Sequence, residues 1–466
     1  MILVPMLCFL LALLLPHVAV ATVRVGRDLP RDVFSPLRVL TFLGLSTVPY
    51  PLILFFDIEQ LSPDVRFNPW VTDVPAEIAH FLMLSSVGYL AMVLGLFSPA
   101  GGWIARRLPV LHARRFTPAR CRRAFLLCAG AGLLAYAYFL QQIGGLRQLW
   151  VNMALRMEML AGLGYLFNFY TLLLTFAPLF LVYSLRFEPS RRRVVGVVLM
   201  VVATGAIMAS TGGRFGAITL VLYAFMTAHY AVRRIKRLVT RWTVLIVGVL
   251  LVFFTAMPLF RTAHAFEVYS AQPGLFASSV EQSFRGIAWQ FSQLDRGVVI
   301  TSYFTRERLW WGRSYGDLLS APVPHHTFPD KPPIDEGVYV TALAWGNDVR
   351  PSMPARLLPA TSWPPQNWVL YMNFGVVGLL CGMYLTGIGI TLAYRYMWAS
   401  GFSPFSIYLY GYAVLGGVGF SNYQLVQGFI TVTGAVLVFV PLFARWPWPV
   451  PGRAPAPAPA VAEGAA

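Results

Sequence analysis

Charge is what this 466-residue chain has least of: Asp, Glu, Lys and Arg together make up 12% of it. That is about half the share found in a soluble domain. Cysteine is nearly absent. Cys8, Cys121, Cys128 and Cys381 are the four present, and their spacing supports neither a disulfide framework nor a zinc site. There is no carboxylate cluster of the aspartate-rich kind that holds a divalent cation, so no metal and no cofactor are expected. No internal repeat is visible, which argues against a secondary transporter built on inverted repeats. No positive charge precedes the first apolar run, residues 2–22. Ala19-Val20-Ala21 resembles a signal-peptidase site, but the arginines come after the run rather than before it. It is therefore expected to stay as a first helix.

Hydrophobic residues fill the gap that charge leaves, at 57% of the chain with mean hydropathy +0.63. Apolar runs long enough to cross a bilayer recur from end to end, which predicts an all-α, polytopic transmembrane helical bundle. After the first run they cover about 37–56, 77–98, 124–143, 165–185, 194–210, 215–231, 242–260, 367–393, 403–420 and 425–444. About 11 spans result. Eight lie in 1–260 and three in 366–446, with a Pro/Ala-rich tail, 447–466, expected to be disordered and cytoplasmic. Gly144 to Gly164 is amphipathic and suits a membrane surface.

The net charge of +17 would suggest a nucleic-acid partner in a soluble protein. Here the excess has a simpler place. Arg24, Arg27, Arg31 and Arg38 follow the first span. Seven arginines between Arg106 and Arg123 follow the third, without an acid among them. Arg191 to Arg193 and Arg233 to Arg241 mark later loops on the same side. Such a bias orients helices with their basic loops in the cytoplasm, so no nucleic acid is implied. The opposite side is nearly free of basic residues except for one interval, 261–365, where nine basic residues face nine acids.

That interval is the only long polar one. A connection of this length is either disordered or functional. Trp289, Trp310, Trp311, Trp345 and Trp363 within it argue for folding, because disordered segments lack aromatics. It is read as a folded, extracytoplasmic cap.

Three places stand out by residue type. Arg214 follows Gly212-Gly213 between two apolar spans, at the outer boundary. A charge there is a functional signal, and a guanidinium fork fits phosphate; the plain alternative is a boundary arginine that snorkels. Pro324-His325-His326-Thr327-Phe328-Pro329-Asp330-Lys331-Pro332-Pro333 holds titratable groups between prolines. His325 or His326 could be a general base and Lys331 a phosphate partner, against a reading as a rigid surface turn. The helix opening Gln366 to Gly378 carries a polar Asn373, with Gly375 and Gly378 placed for packing.

In order and spacing, Gly213-Arg214, Gly312-Arg313-Ser314-Tyr315, Pro324 to Pro332 and Asn373-Phe374-Gly375-Val376-Val377-Gly378 resemble the Wzy-type oligosaccharide repeat-unit polymerases, relatives of the O-antigen ligases. The resemblance covers about residues 130 to 440. One departure is His325, where the family pattern has Arg after the first proline. The resemblance implies a GT-C-like, metal-independent glycosyltransferase in the bacterial inner membrane, active at the periplasmic face. It would join oligosaccharide repeat units carried on undecaprenyl pyrophosphate into a surface polysaccharide, with membrane lipid and a chain-length regulator as partners. It further implies a pyrophosphate held by Arg214 and Lys331 with Arg156, Arg261 or Arg285. His325, His326 or Asp317 would be the base. Trp310, Trp311, Tyr315 and Asn373 would lie along the glycan and the helix start, with Trp345 also available for stacking. The rivals are a ligase with a different acceptor, a polysaccharide flippase, and a non-catalytic scaffold. A flippase would place ionisable residues inside the spans, and nearly all charges here lie at span ends.

Overall fold

The computed structural model describes residues 2–23, 32–151, 162–211, 214–235, 240–256, 259, 265–323 and 327–443. It is helical, with no strand among the described residues. The helices used below are α1 (Leu3–Val23), α2 (Pro36–Ser46), α3 (Pro49–Phe56), α4 (Val74–Phe97), α5 (Pro118–Gln142), α6 (Gly164–Ser184), α7 (Arg191–Ser210), α8 (Arg214–Thr227), α9 (Arg241–Ala256), α10 (Pro273–Phe291), α11 (Leu294–Tyr303), α12 (Gly337–Ala344), α13 (Trp368–Ala399), α14 (Pro404–Tyr412) and α15 (Asn422–Phe443).

Local chemistry sets many of the boundaries. Proline occupies the first turn of α2, α3, α4, α5, α10 and α14, where its missing N–H costs nothing. Asp73, Thr117, Ser190 and Ser403 cap α4, α5, α7 and α14 through their side-chain oxygens. Among the described residues, nine helical stretches are long and apolar enough to cross a membrane, α2 and α3 together forming one of them. Their outward faces are apolar: Leu134 is 74% exposed, Phe429 72% and Val377 70%. Hydrocarbon is the solvent such faces suit, and the protein is a membrane protein.

The expected spans near 242–260 and 403–420 are not among the nine. The first is a 16-residue helix, α9. The second is α14, nine residues, followed by a wide turn that breaks at Leu415 and at Gly416, whose φ is +99.

Two apolar clusters mark the two ends of the bundle. One joins Met6, Tyr50, Leu54, Val65, Phe81 and Trp368 to Val299, Trp310 and Val340 of the polar interval, so that interval is folded onto the bundle. The other joins Val20, Leu37, Leu96, Phe116, Tyr183, Tyr230, Tyr394 and Phe443. It lies at the arginine-rich end, where Phe116 stacks on Phe443 at 4.1 Å. Helices α4 and α13 run parallel between the ends, since Phe81 meets Trp368 at 4.9 Å and Gly95 meets Gly387 further along. A Cβ on Gly95 would sit 2.0 Å from the Tyr384 carbonyl, and one on Gly387 2.1 Å from that of Met92. Small residues are what allow this backbone-to-backbone approach.

At the arginine-rich end, the loop before α2 buries Asp32. Its carboxylate accepts from Tyr230 at 2.7 Å, Tyr394 at 2.8 Å and His229 Nε2 at 3.1 Å. His229 Nδ1 accepts the Ile235 N–H, which leaves Nε2 to carry the proton. Burial pushes the Asp32 acid up, but the hydrogen bonds from His229, Tyr230 and Tyr394 outweigh it and hold it below the usual range.

Candidate active site

The polar cap is built around a break in α13. Gly375 has φ +63 and ψ −149, a conformation reserved in practice for glycine, and it divides a short opening helix from the long one that follows. Gly378 lets the two pieces close up: a Cβ there would lie 2.4 Å from the Leu370 carbonyl. The break frees backbone carbonyls that must find donors. Trp310 N donates to Met372 O at 3.0 Å and Trp311 N to Asn373 O at 2.8 Å. The stretch Gly312 to Asp317 is thereby laid across the break.

Asn373 pins that stretch. Its Oδ1 accepts from Gly312 N at 3.1 Å, and its Nδ2 donates to Ser314 Oγ and Val369 O, both at 2.9 Å. Asn422, at the start of α15, donates to Ser314 O at 2.7 Å. The Tyr315 hydroxyl donates to Phe420 O at 2.8 Å, and its ring stacks on Phe374. The sequence motifs at 312–315 and 373–378 therefore meet in space, joined by α15.

Two carboxyl groups lie beside this network, both within electrostatic reach of Tyr339. Glu336 is 1% exposed. Its Oε1 accepts the Asn422 N–H at 2.7 Å, at the positive end of α15, and its Oε2 has no partner among the described residues. Burial pushes its acid up to about 7 despite that hydrogen bond. Asp317 is buried too and accepts from Ser352 Oγ at 2.6 Å; burial raises its acid. A third carboxyl, Asp295 on α11, accepts from Trp289 Nε1 and Tyr50 OH and leaves Oδ1 unpartnered. Burial pushes it up to about 6.

The residues singled out by sequence fall into three groups. Lys331 is a tie within the cap: its Nζ donates to Ala321 O and Val323 O, both at 2.8 Å, with one N–H left over. Trp310 is 3% exposed and packed edge-on between Phe304 and Tyr339, so its ring is not free to stack on a sugar. Asn373 is wholly buried and acts on the loop rather than on solvent. Trp311 and Trp345 are 62% and 58% exposed and present open faces. Residues Arg156, Arg261, His325 and His326, and the side chains of Arg214 and Arg285, lie outside the described residues.

Sequence reading missed Glu336 and Asp295. Each is an ordinary acid in a balanced loop, and only the fold buries it. The signal in the sequence was weak: acids next to apolar runs, Asp335-Glu336 before Gly337-Val338-Tyr339-Val340 and Leu294-Asp295 before Val298-Val299-Ile300. Beside the cap, a cavity of about 190 Å³ opens between α1, α4 and α13. Gln293, Gln366 and Asn367 bring amides to it, and the buried Asn367 Oδ1 has no partner. An apolar groove with a few amides is the kind of wall that ligand pockets have. Among the described residues no three His, Cys, Asp or Glu side chains gather as a metal site requires. Comparisons with protein families, with curated proteins and with solved structures give no match.

Proposed function

We propose that the chain is a membrane glycosyltransferase that polymerises oligosaccharide repeat units carried on a polyprenyl pyrophosphate, at the outer face of a bacterial inner membrane. The observation that carries this reading is the pair of buried carboxyl groups, Glu336 and Asp317, both raised by burial, next to a broken helix and beneath a folded polar cap. Transfer needs a base for the acceptor hydroxyl, and a base works best when its proton affinity lies near the working pH. In the proposed step the acceptor oxygen bonds to the anomeric carbon of the donor. The bond from that carbon to the pyrophosphate breaks, and the hydroxyl proton passes to the carboxylate. The leaving pyrophosphate needs cations, a role assigned to Arg214 with the remaining N–H of Lys331. Trp311 and Trp345 offer aromatic faces to sugar rings. The eleven-span layout belongs to this reading, with α9 and α14 as the two short crossings.

The test is an assay of purified protein with an undecaprenyl-pyrophosphate oligosaccharide as both donor and acceptor. A ladder of products spaced by one repeat is expected, and it should persist in EDTA. Transfer only to a different lipid acceptor would make the protein a ligase. No transfer to any acceptor would refute glycosyl transfer altogether. Glu336→Gln and Asp317→Asn, both isosteric, identify the base: the one that performs the role should lose about two to four orders of magnitude in rate. Full rate in both would return the role to His325 or His326.

A further inference from the structure

At the arginine-rich end, opposite the cap, a second cavity of about 240 Å³ lies where α1, α2, α4 and α13 meet. Its wall carries His17, Ser35, Arg38 and Arg395. Ser35 occupies the capping position of α2 but makes no capping bond. It is 1% exposed and its Oγ has no partner among the described residues. Pro36 has no N–H, so the first free donors of the 11-residue α2 are its next backbone amides, in the turn that Ser35 leaves uncapped. A buried hydroxyl without a partner is destabilising. Here it lines a cavity with two guanidinium groups at its rim. The nearest acid does not neutralise the site, because the Asp32 carboxylate is taken up by Tyr230, Tyr394 and His229. Among the described residues, Arg38 donates to the Asp32 main-chain oxygen, at 3.3 Å, and not to its carboxylate.

We infer that this cavity binds a phosphate group, held by the Ser35 hydroxyl, the opening turn of α2 and the Arg38 and Arg395 side chains. A helix N-terminus with converging donors is suited to this anion, and Arg matches its geometry. The rest of the wall is Val20, Pro36, Leu37, Leu96 and Phe97 from membrane-length helices, with Thr391 and Tyr394, whose hydroxyls are given to Leu96 O and to Asp32. The phosphate is therefore that of a phospholipid headgroup whose acyl chains lie along those helices. The site is independent of the proposed transfer chemistry, being at the other end of the bundle and read by binding.

The experiment is native mass spectrometry of the full chain released from detergent, titrated with phosphatidylglycerol, with phosphatidylcholine plus a neutral diacylglycerol as further lipids, and with inorganic phosphate. Phosphatidylglycerol should bind in a retained, countable stoichiometry, and diacylglycerol should not. Arg395→Gln should weaken binding about tenfold. Ser35→Ala, which keeps every charge, should weaken it severalfold. Arg122→Gln with Arg123→Gln removes two exposed arginines of the same end and should leave it within twofold. Retention of inorganic phosphate at the same residues, with no preference for lipid, would keep the phosphate site but make its ligand soluble. Equal loss in the control and site variants would reduce the effect to general surface charge and overturn the inference. So would equal retention of diacylglycerol, or no effect of Ser35→Ala in a protein that melts normally.

Discussion

Glu336 shows how a single residue can be ordinary in sequence and unusual in the fold. It is one of nine acids in a balanced loop, yet burial lifts its acid from 4.5 to about 7. A carboxyl whose folded value is raised binds more protons in the native state than in the unfolded one between those two values. Stability is then fully present below the unfolded value and is lost as pH rises toward 7. Glu336→Gln cannot ionise, so the variant should be nearly equal to wild type at pH 4 and more stable at pH 8. The gap should approach roughly 3 kcal/mol, since each tenfold change in proton affinity is worth about 1.4 kcal/mol. Thermal melts in detergent across that range check it, and a gap that is constant with pH would mean Glu336 stays ionised. Arg214 is the converse case, a residue conspicuous in sequence after two glycines and between two apolar runs. If its fork binds the leaving pyrophosphate, Arg214→Ala should cost about two to three orders of magnitude in polymer formation at normal protein level. Arg214→Lys, with charge but no fork, should be impaired yet active. Normal polymer from Arg214→Ala would leave it a boundary anchor.

At the scale of elements, the apolar runs were legible because a bilayer demands about twenty consecutive apolar residues and leaves little freedom. The runs at 77–98, 194–210 and 215–231 lie within or close to α4, α7 and α8 with its last turn. What could not be read was how a helix breaks. Asn373-Phe374-Gly375 looks like the opening of a continuous span, and the two glycines were assigned to packing. Packing does explain Gly378, which seats against Leu370. The φ of Gly375 depends instead on donors sixty residues away, the N–H groups of Trp310 and Trp311, which satisfy the carbonyls at the break. Likewise Trp310 and Trp311 are neighbours of one type in sequence, yet one is core and the other open, because the Trp311 backbone turns to φ +54. Gly375→Ala tests this. Its Cβ would meet Leu309 no closer than 3.4 Å, so the cost is conformational, about 1–3 kcal/mol. Gly378→Ala meets backbone at 2.4 Å and should be worse. Both should loosen the stretch above the break, raising trypsin cleavage at Arg306, Arg308 and Arg313 while the rest of the bundle stays protected. Unchanged cleavage would mean the break does not support the cap.

The whole molecule is organised by which end each segment reaches, and the connections decide more than helix length does. The turn after α8 places His229 and Tyr230 on Asp32, at the arginine-rich end. The chain next reaches Asp295, bonded to Tyr50 at the cap end. It must pass from one end to the other in between, and α9 is the only apolar helix described there. At 16 residues it spans about 24 Å, short of a bilayer core of about 30 Å, so the proposed crossing calls for local thinning or flanking arginines to make up the difference. The same holds after α13. Ala113 N bonds to Ser400 O at the arginine-rich end, whereas Asn422 bonds to Ser314 at the cap end, leaving α14 and its broken turn to cross. In the proposed layout both short segments cross, which with the nine long ones gives an odd number of spans. In that layout the arginine bias supplies the sign, with the arginine-rich end proposed to face the cytoplasm. A reporter fused after Arg453 should behave as cytoplasmic, and a cysteine introduced at the exposed Leu319 should react with an impermeant maleimide from the outside of intact cells. If α9 does not cross while α14 does, the cap comes to the side of the first loop and the tail to the opposite side. The Leu319 cysteine would then react only after the membrane is opened. That outcome would remove the extracytoplasmic cap, and with it the proposal that a lipid-linked glycan meets Glu336 and Asp317 there.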